Sequence, residues 1–252
     1  MNKRMKLIFI CFTAVALVLV IASSFFVVQS VDVQLVSVYE DMTVLDADVI
    51  GQASGVLGKN ILTLNERTVI NGIHTSYPRV KVIAIERFFP SSVTIYVTER
   101  VALFAVETEG GYALIDREAM VLDNVVEAGD VPIARGISVL SSVPGRRLIA
   151  QSGEVEKLLE VVAAFEGMEY VGRNFCTTVD YVDLTTTESC KLLMDAGVCF
   201  EFNDSANVYY QVLSFMNWYG VSPAYRYGGT AKVDNVFDAE TQRFGIIYTP
   251  EG

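Results

Sequence analysis

Histidine is almost missing from this sequence: His74 is the single one in 252 residues. With no second histidine and no ligand-spaced cysteines, a nitrogen- or thiolate-bound metal centre has no donor set. A Ser-His-Asp or Cys-His nucleophile would have to use His74, and no Gly-x-Ser-x-Gly elbow accompanies it. Ser-x-x-Lys does not occur, and Gly110-Gly111 and Gly228-Gly229 are isolated turn pairs without phosphate-loop spacing. Acids are numerous enough for carboxylate pairs to arise by chance, so no pair marks an acid–base couple. The sequence points away from an enzyme and implies no cofactor.

Positive charge is scarce too. The chain carries 19 Lys+Arg against 30 Asp+Glu, a formal net charge of −11. Lys3, Arg4 and Lys6 precede the first acid, Asp32, so everything beyond them is more acidic still. Nucleic acid and electrostatic docking on anionic lipid both need a basic footprint, which is absent. Proline is sparse, and no Ser/Pro/Gly-rich linker separates the apolar N-terminal run from the rest of the chain. Of the four cysteines, Cys11 sits near the start and Cys176, Cys190 and Cys199 lie beyond, an odd number. Cys190 and Cys199 flank a hairpin predicted around Asp195-Ala196-Gly197, with Met194 facing Val198 or Cys199. That register does not place the two thiols opposite each other, so free buried thiols are expected.

What is present begins at once. After Met1–Lys6, the run Leu7–Val28 carries no charge. Its length as a helix is about 33 Å, enough to cross a hydrocarbon core of about 30 Å. The basic flank predicts a cytoplasmic N-terminus. A cleaved signal peptide is the competing reading, with Ala22-Ser23-Ser24 at a plausible cleavage position, but the run continues through Phe25–Val28 and exceeds a signal core. An uncleaved anchor is therefore expected, with the rest of the chain outside the membrane. Cys11, Thr13, Ser23 and Ser24 are small enough for helix packing, although a plain lipid-facing anchor is the simpler expectation.

Beyond the anchor, Val31, Val33 and Leu35 alternate with polar neighbours as in a strand. Leu45, Val49, Ile50 and Ala53 recur at helical spacing. Thr63-x-x-Glu66 is a capping-box pattern opening a second helix with Val69, Ile70 and Ile73 inward, and Tyr77-Pro78 ends it. Strands Val80–Glu86 and Ser92–Glu99 follow around a Phe89-Pro90-Ser91 turn. The order is β-α-α-β-β. The remainder reads as a β-rich region with two helices. A strand at Gly111–Ile115 enters a turn at Asp116, and Val121 and Leu122 start the return. Gln151–Phe165 is helical, with Val155, Leu158, Leu159, Val162 and Phe165 on one face. Phe175–Asp183, Ser189–Met194 and Val198–Asn203 form a meander. Asp204 or Ser205 caps a helix through Trp218 with Val208, Val212, Phe215 and Met216 inward. Ala231–Phe237 and Arg243–Thr249 are the last strands.

Four motifs in this frame stand out: Gly58-Lys59-Asn60-Ile61-Leu62, Pro78-Arg79-Val80, Arg87-Phe88-Phe89-Pro90, and the alternating strand ending Glu99-Arg100. Tyr112-Ala113-Leu114-Ile115-Asp116 follows them. In these motifs the chain resembles the FtsQ/DivIB family of bacterial cell-division proteins, across essentially its whole length and most specifically over 31–116. The resemblance implies an α+β architecture: cytoplasmic tail 1–6, transmembrane helix 7–28, POTRA domain 31–99 and an FtsQ/DivIB-like β domain 100–252. Ala119 stands where the family usually has glycine, Phe202-Asn203 where it has Leu-Gly, and Tyr210-Gln211 where a lysine is frequent.

The resemblance also implies a function. The expected role is a bitopic scaffold in the cell membrane at the division septum. It would bind FtsB/DivIC-like and FtsL-like bitopic proteins and support septal peptidoglycan synthesis. Gly58, Asn60, Pro78, Arg87, Pro90, Glu99 and Arg100 are expected to be structural. The family's last strands form an open edge that accepts a partner strand. Val233-Asp234-Asn235-Val236-Phe237-Asp238 and Phe244-Gly245-Ile246-Ile247-Tyr248 match them. Val233, Phe237, Gly245, Ile247 and Tyr248 become candidate partner-binding residues, while Phe237 and Tyr248 fit a core position as well. A POTRA export or outer-membrane assembly factor and an anchored cell-wall hydrolase are the alternatives.

Overall fold

The computed structural model describes residues 5, 9–14, 17, 25–36, 47–151, 153–166, 178–186, 190–203, 207–221 and 228–251. The chain divides into two compact units, Met1–Arg100 and Val101–Gly252.

The first unit runs β1 (Ser30–Leu35), α1 (Ala47–Ala53), α2 (Glu66–Ser76), β2 (Val80–Phe88) and β3 (Ser92–Glu99). This is the β-α-α-β-β order that the periodicities predict. β3 is central, parallel to β1 and antiparallel to β2. Ile50 of α1 and Val69 and Ile73 of α2 are buried with Val93, Ile95 and Val97 of β3 in one core, against which Val31 and Val33 pack. Burying each such side chain is worth about 1.5–3 kcal/mol. Val49, expected inward, is exposed, and Ile70 is only partly covered. Leu45 lies outside the described residues.

Two local expectations need correction. Asn65 caps α2, not Thr63: the Asn65 side chain accepts from the Arg67 N–H at 3.0 Å, and the helix begins at Glu66. Thr63 instead turns its hydroxyl to the Asn60 carbonyl at 3.4 Å, two residues before the cap position. The second correction concerns the predicted span Leu7–Val28. Val28 is buried in the first unit's core, Val27 bridges Asn60, and the Phe26 carbonyl accepts from the Ile61 N–H at 2.7 Å. Phe26–Val28 are therefore outside any helix and bonded into the domain. No helix among the described residues is long and apolar enough to cross a membrane, and most of 7–24 lies outside the described set. Residues 9–14 are helical and apolar, with Phe9, Ile10 and Phe12 exposed.

The second unit contains β4 (Phe104–Thr108), β5 (Gly111–Ile115), β6 (Val121–Val125), β7 (Ile133–Arg135), β8 (Val139–Ser141), β9 (Ile149–Ala150) and α3 (Glu154–Glu166). It continues with β10 (Val179–Asp183), β11 (Cys190–Met194), β12 (Val198–Phe202), α4 (Val208–Val221), β13 (Gly229–Asp238) and β14 (Arg243–Thr249). Among the described residues, nine strands form one mixed sheet in the order β14-β13-β12-β11-β10-β7-β4-β5-β6. Its core joins buried side chains of the strands to Val155, Leu158, Val161 and Val162 of α3 and to Val208, Val212, Phe215 and Met216 of α4. Phe215 stacks on Phe200 with centroids 4.2 Å apart. Such a pair adds about 1 kcal/mol beyond its burial.

α3 starts three residues later than predicted, because the Gln151 N–H bonds the Ser138 carbonyl and the first helical bond runs from Lys157 to Gly153. The Phe165 side chain, residues 175–177, Ser189, Asp204 and Ser205 lie outside the described residues. At the turn after β5, Asp116 accepts from the N–H groups of Glu118 and Met120, both at 2.9 Å. Ala119 has φ +59° there, the conformation glycine favours, and its methyl is fully buried. Cys190 opposes Phe202 and Cys199 opposes Leu193, which is the expected register with Met194 facing Val198. Burial alternates along both strands, so the two thiols lie on opposite faces of the sheet and are free. Cys176 is outside the described residues.

Candidate partner-binding edge

β14 is the terminal strand of the large sheet: β13 pairs with one side of it, and no described strand pairs with the other. Such an edge leaves backbone N–H and C=O groups for an added strand. Strand alternation divides β14 cleanly. Phe244, Ile246 and Tyr248 are partly buried, whereas Arg243, Gly245, Ile247 and Thr249 are exposed. α4 supports the buried face. Trp218 packs on Tyr248 at 5.2 Å, and the Ser214 hydroxyl accepts the Phe244 N–H at 2.9 Å while donating to the Tyr210 carbonyl at 2.6 Å. Ser214, Asn217, Trp218, Val221, Phe244 and Ile246 line an open groove of about 480 Å³ between α4 and β14.

The five candidate residues divide into different roles. Ile247 is 56% exposed on the outer face of β14. Phe237 is 38% exposed and lies against Phe244 at 4.8 Å and Tyr210 at 5.9 Å. Val233 and Tyr248 pack on the main core, and the Tyr248 hydroxyl donates to the Gly228 carbonyl. Gly245 faces a bulge, because β13 places three residues between Val233 and Phe237 where β14 places one between Ile246 and Phe244. A Cβ there would meet the Asp234 Cβ at 3.2 Å, so close approach explains the glycine.

The turn closing the edge hairpin is held by Asp238. Its carboxylate accepts from the Thr241 hydroxyl at 2.8 Å and the Glu240 N–H at 2.9 Å. The Thr241 hydroxyl first, then the backbone N–H groups of Glu240 and Thr241, hold the Asp238 carboxyl below its ordinary pKa.

Sequence reading missed a row of charges that runs across the sheet to this edge. Asp183, Lys191, Glu201 and Lys232 are successive cross-strand partners, and Ile247 comes next. Arg135 continues the row on the other side of Asp183 and reaches Glu107 at 3.1 Å. Lys232 lies 2.6 Å and Lys191 3.9 Å from Glu201. The signs alternate at every step, the stabilising cross-strand arrangement. Asp183 has its carboxyl lowered overall: burial pushes it up, and the hydroxyl and N–H of Thr185 with Arg135 and Lys191 outweigh that. Burial raises the Cys199 thiol on the same face. Strand alternation at period two carries the signal, but only once the strand order is known.

The motif residues of the first unit serve its geometry. Gly58 has φ +76° and donates its N–H to the Val28 carbonyl at 3.0 Å. The Asn60 side chain accepts from the Leu62 N–H at 2.9 Å. Arg87 spans from β2 to that loop and its successor: its guanidinium donates to the carbonyls of Ile61 and Leu64 at 3.2 and 3.0 Å and to Glu66 at 2.7 Å. Tyr77, preceding Pro78, closes α2 with its N–H on the Ile73 carbonyl. The Phe89–Pro90 bond is cis at the β2–β3 turn. Glu99 ends β3 opposite Val80, and Arg100 is buried with its N–H on the Arg79 carbonyl. His74 sits in the last turn of α2.

The first unit's three-stranded sheet with two helices has the β-α-α-β-β order expected of a POTRA domain. Residues 32–100 match the family model described as POTRA domain, FtsQ-type. The match spans 69 of the 252 residues and supports assignment to an FtsQ/DivIB-like family. No curated protein matches the chain.

Proposed function

We propose that this protein is a single-span membrane scaffold of the bacterial division machinery. Residues 1–6 would lie in the cytoplasm, a membrane helix would start at Leu7, and the POTRA domain (31–99) and an FtsQ/DivIB-like β domain (100–252) would stand outside. The observation that carries the reading is the FtsQ-type POTRA domain at 32–100, directly after a charge-free apolar run. The exposed apolar side chains of Phe9, Ile10 and Phe12 on helical backbone support a lipid-facing anchor. With Phe26–Val28 in the domain, the span is Leu7–Phe25, about 28 Å of helix.

The partners are FtsB/DivIC-like and FtsL-like bitopic proteins, engaged at the β14 edge by strand addition in support of the septal synthesis machinery. Ile247 on the outer face and Phe237 beside the hairpin are the side chains such a strand would meet. Tethering both proteins to one membrane raises their effective concentration, so a modest edge contact suffices. The FtsQ-type POTRA family is a scaffold family, in keeping with a role that needs no catalytic set.

Depleting the protein should give filaments without septa. Ile247→Asp, an exposed substitution, should lower co-purification of a small coiled-coil membrane protein from cells while leaving the fold intact. Normal division after depletion contradicts the scaffold role, and full recovery with Ile247→Asp contradicts the edge assignment.

A further inference from the structure

The apolar run passes into the POTRA domain without a spacer. The Phe26 carbonyl is bonded to Ile61, Val28 exchanges bonds with Lys59 and Gly58, and the Gln29 N–H bonds the Ser91 carbonyl at 2.8 Å. Phe26 also meets Phe89 edge-on, centroids 6.2 Å apart. The incoming chain is therefore laced between two loops, one at 57–62 and the other at the tip of the β2–β3 hairpin. Those loops and Phe25, just before the bonded segment, expose large apolar side chains: Phe25 63%, Leu57 52%, Leu62 53%, Phe88 52% and Phe89 59%. Single exposed apolar residues are ordinary on a soluble surface, but a cluster of five at one end of a small domain is not. Lys59, in the same loop, is exposed.

We propose that this end of the POTRA domain is seated in the lipid bilayer surface. Phe25, Leu57, Leu62 and Phe89 enter the headgroup–acyl boundary, and Lys59 lies at phosphate level. The proposal rests on the single-span reading above. Its occupant is fixed by chain continuity: residues bonded to Phe26 and Gln29 cannot stand far from the membrane that the preceding residues cross. Aromatic rings concentrate at that boundary because they offer an apolar body to a half-dry layer. The consequence is orientational. A domain gripped at its foot as well as by its tether cannot swivel freely, so the first unit keeps one orientation above the bilayer.

The test uses the full chain reconstituted in vesicles of phosphatidylethanolamine and phosphatidylglycerol with brominated acyl chains. The chain's one tryptophan is Trp218, so a difference against the parent isolates an added indole. Phe89→Trp is compared with Ile83→Trp, also about half exposed at 51% but some 20 Å back along β2 from that turn. The indole at 89 should be blue-shifted and quenched several-fold more than the indole at 83. Equal quenching at the two positions overturns the proposal. Carbonate washing separates the two readings. A chain that stays with the vesicles while position 89 is unquenched overturns the lipid seat alone, whereas a chain released by carbonate overturns the span and the seat together.

Discussion

Replacing Arg87 by alanine should loosen the first unit at one identifiable point. Its guanidinium joins β2 to residues 21–26 positions earlier in the chain, through the carbonyls of Ile61 and Leu64 and the carboxylate of Glu66. Hydrogen bonds from a charged donor contribute about 1.5 kcal/mol each at the lower end of their range, so the two carbonyls account for about 3 kcal/mol. The Glu66 carboxylate is half exposed, so that pair adds no more than about 0.5 kcal/mol. A loss of about 3 kcal/mol multiplies the local opening equilibrium by about 150. Hydrogen exchange on the full chain in detergent, resolved to peptides covering 60–66 and 80–99, reads this directly. Arg87→Lys should recover part of the loss, because it restores the charge without the two-pronged donor. A shift below about 1 kcal/mol, or an equal shift in β10–β12, would refute the clamp.

Two further predictions concern the second unit. Gln211 is buried in α4, accepts the Asn203 N–H at 3.1 Å and donates to the Asn203 side chain at 3.0 Å. Gln211→Leu keeps the volume but withdraws those partners, so urea titration of the full chain in detergent should show a loss of about 1–3 kcal/mol with an unchanged slope. An unchanged midpoint would contradict it. Asp238 has its folded carboxyl pKa depressed by Thr241 and Glu240, so its stabilisation is full above the unfolded value and is lost as pH falls through the folded one. Exchange protection of the β13–β14 hairpin should therefore decline below about pH 4, and Asp238→Ala should abolish that pH dependence. A decline that persists in Asp238→Ala would refute this role.

Local pattern revealed the elements because each buries one face. Val93, Ile95 and Val97 repeat every second residue, and Val208, Val212, Phe215 and Met216 every three or four. Their partners were not legible in the same way. β7 is a three-residue strand inserted between β4 and β10, and β12 pairs in parallel with β13 across the whole of α4. Both are long-range choices that no window of sequence contains. The charge row from Glu107 to Lys232 was hidden for that reason, since its members are neighbours only through strand order. Phe26–Val28 were misassigned because an apolar residue reads the same whether lipid or a protein core covers it. Thr63 offers a similar oxygen, but its hydroxyl bonds the Asn60 carbonyl, and the cap falls to Asn65, next to the first helical residue. At the candidate edge, the aromatic and aliphatic positions were found by resemblance. Their division into outer-facing Ile247, half-exposed Phe237 and core-facing Tyr248 needed the register.

The central claim is a role in division, and location tests it most directly. A fluorescent fusion of the full chain, expressed at native level, should gather in a band at mid-cell as the septum forms. Even labelling around the whole cell periphery through the division cycle would contradict the account.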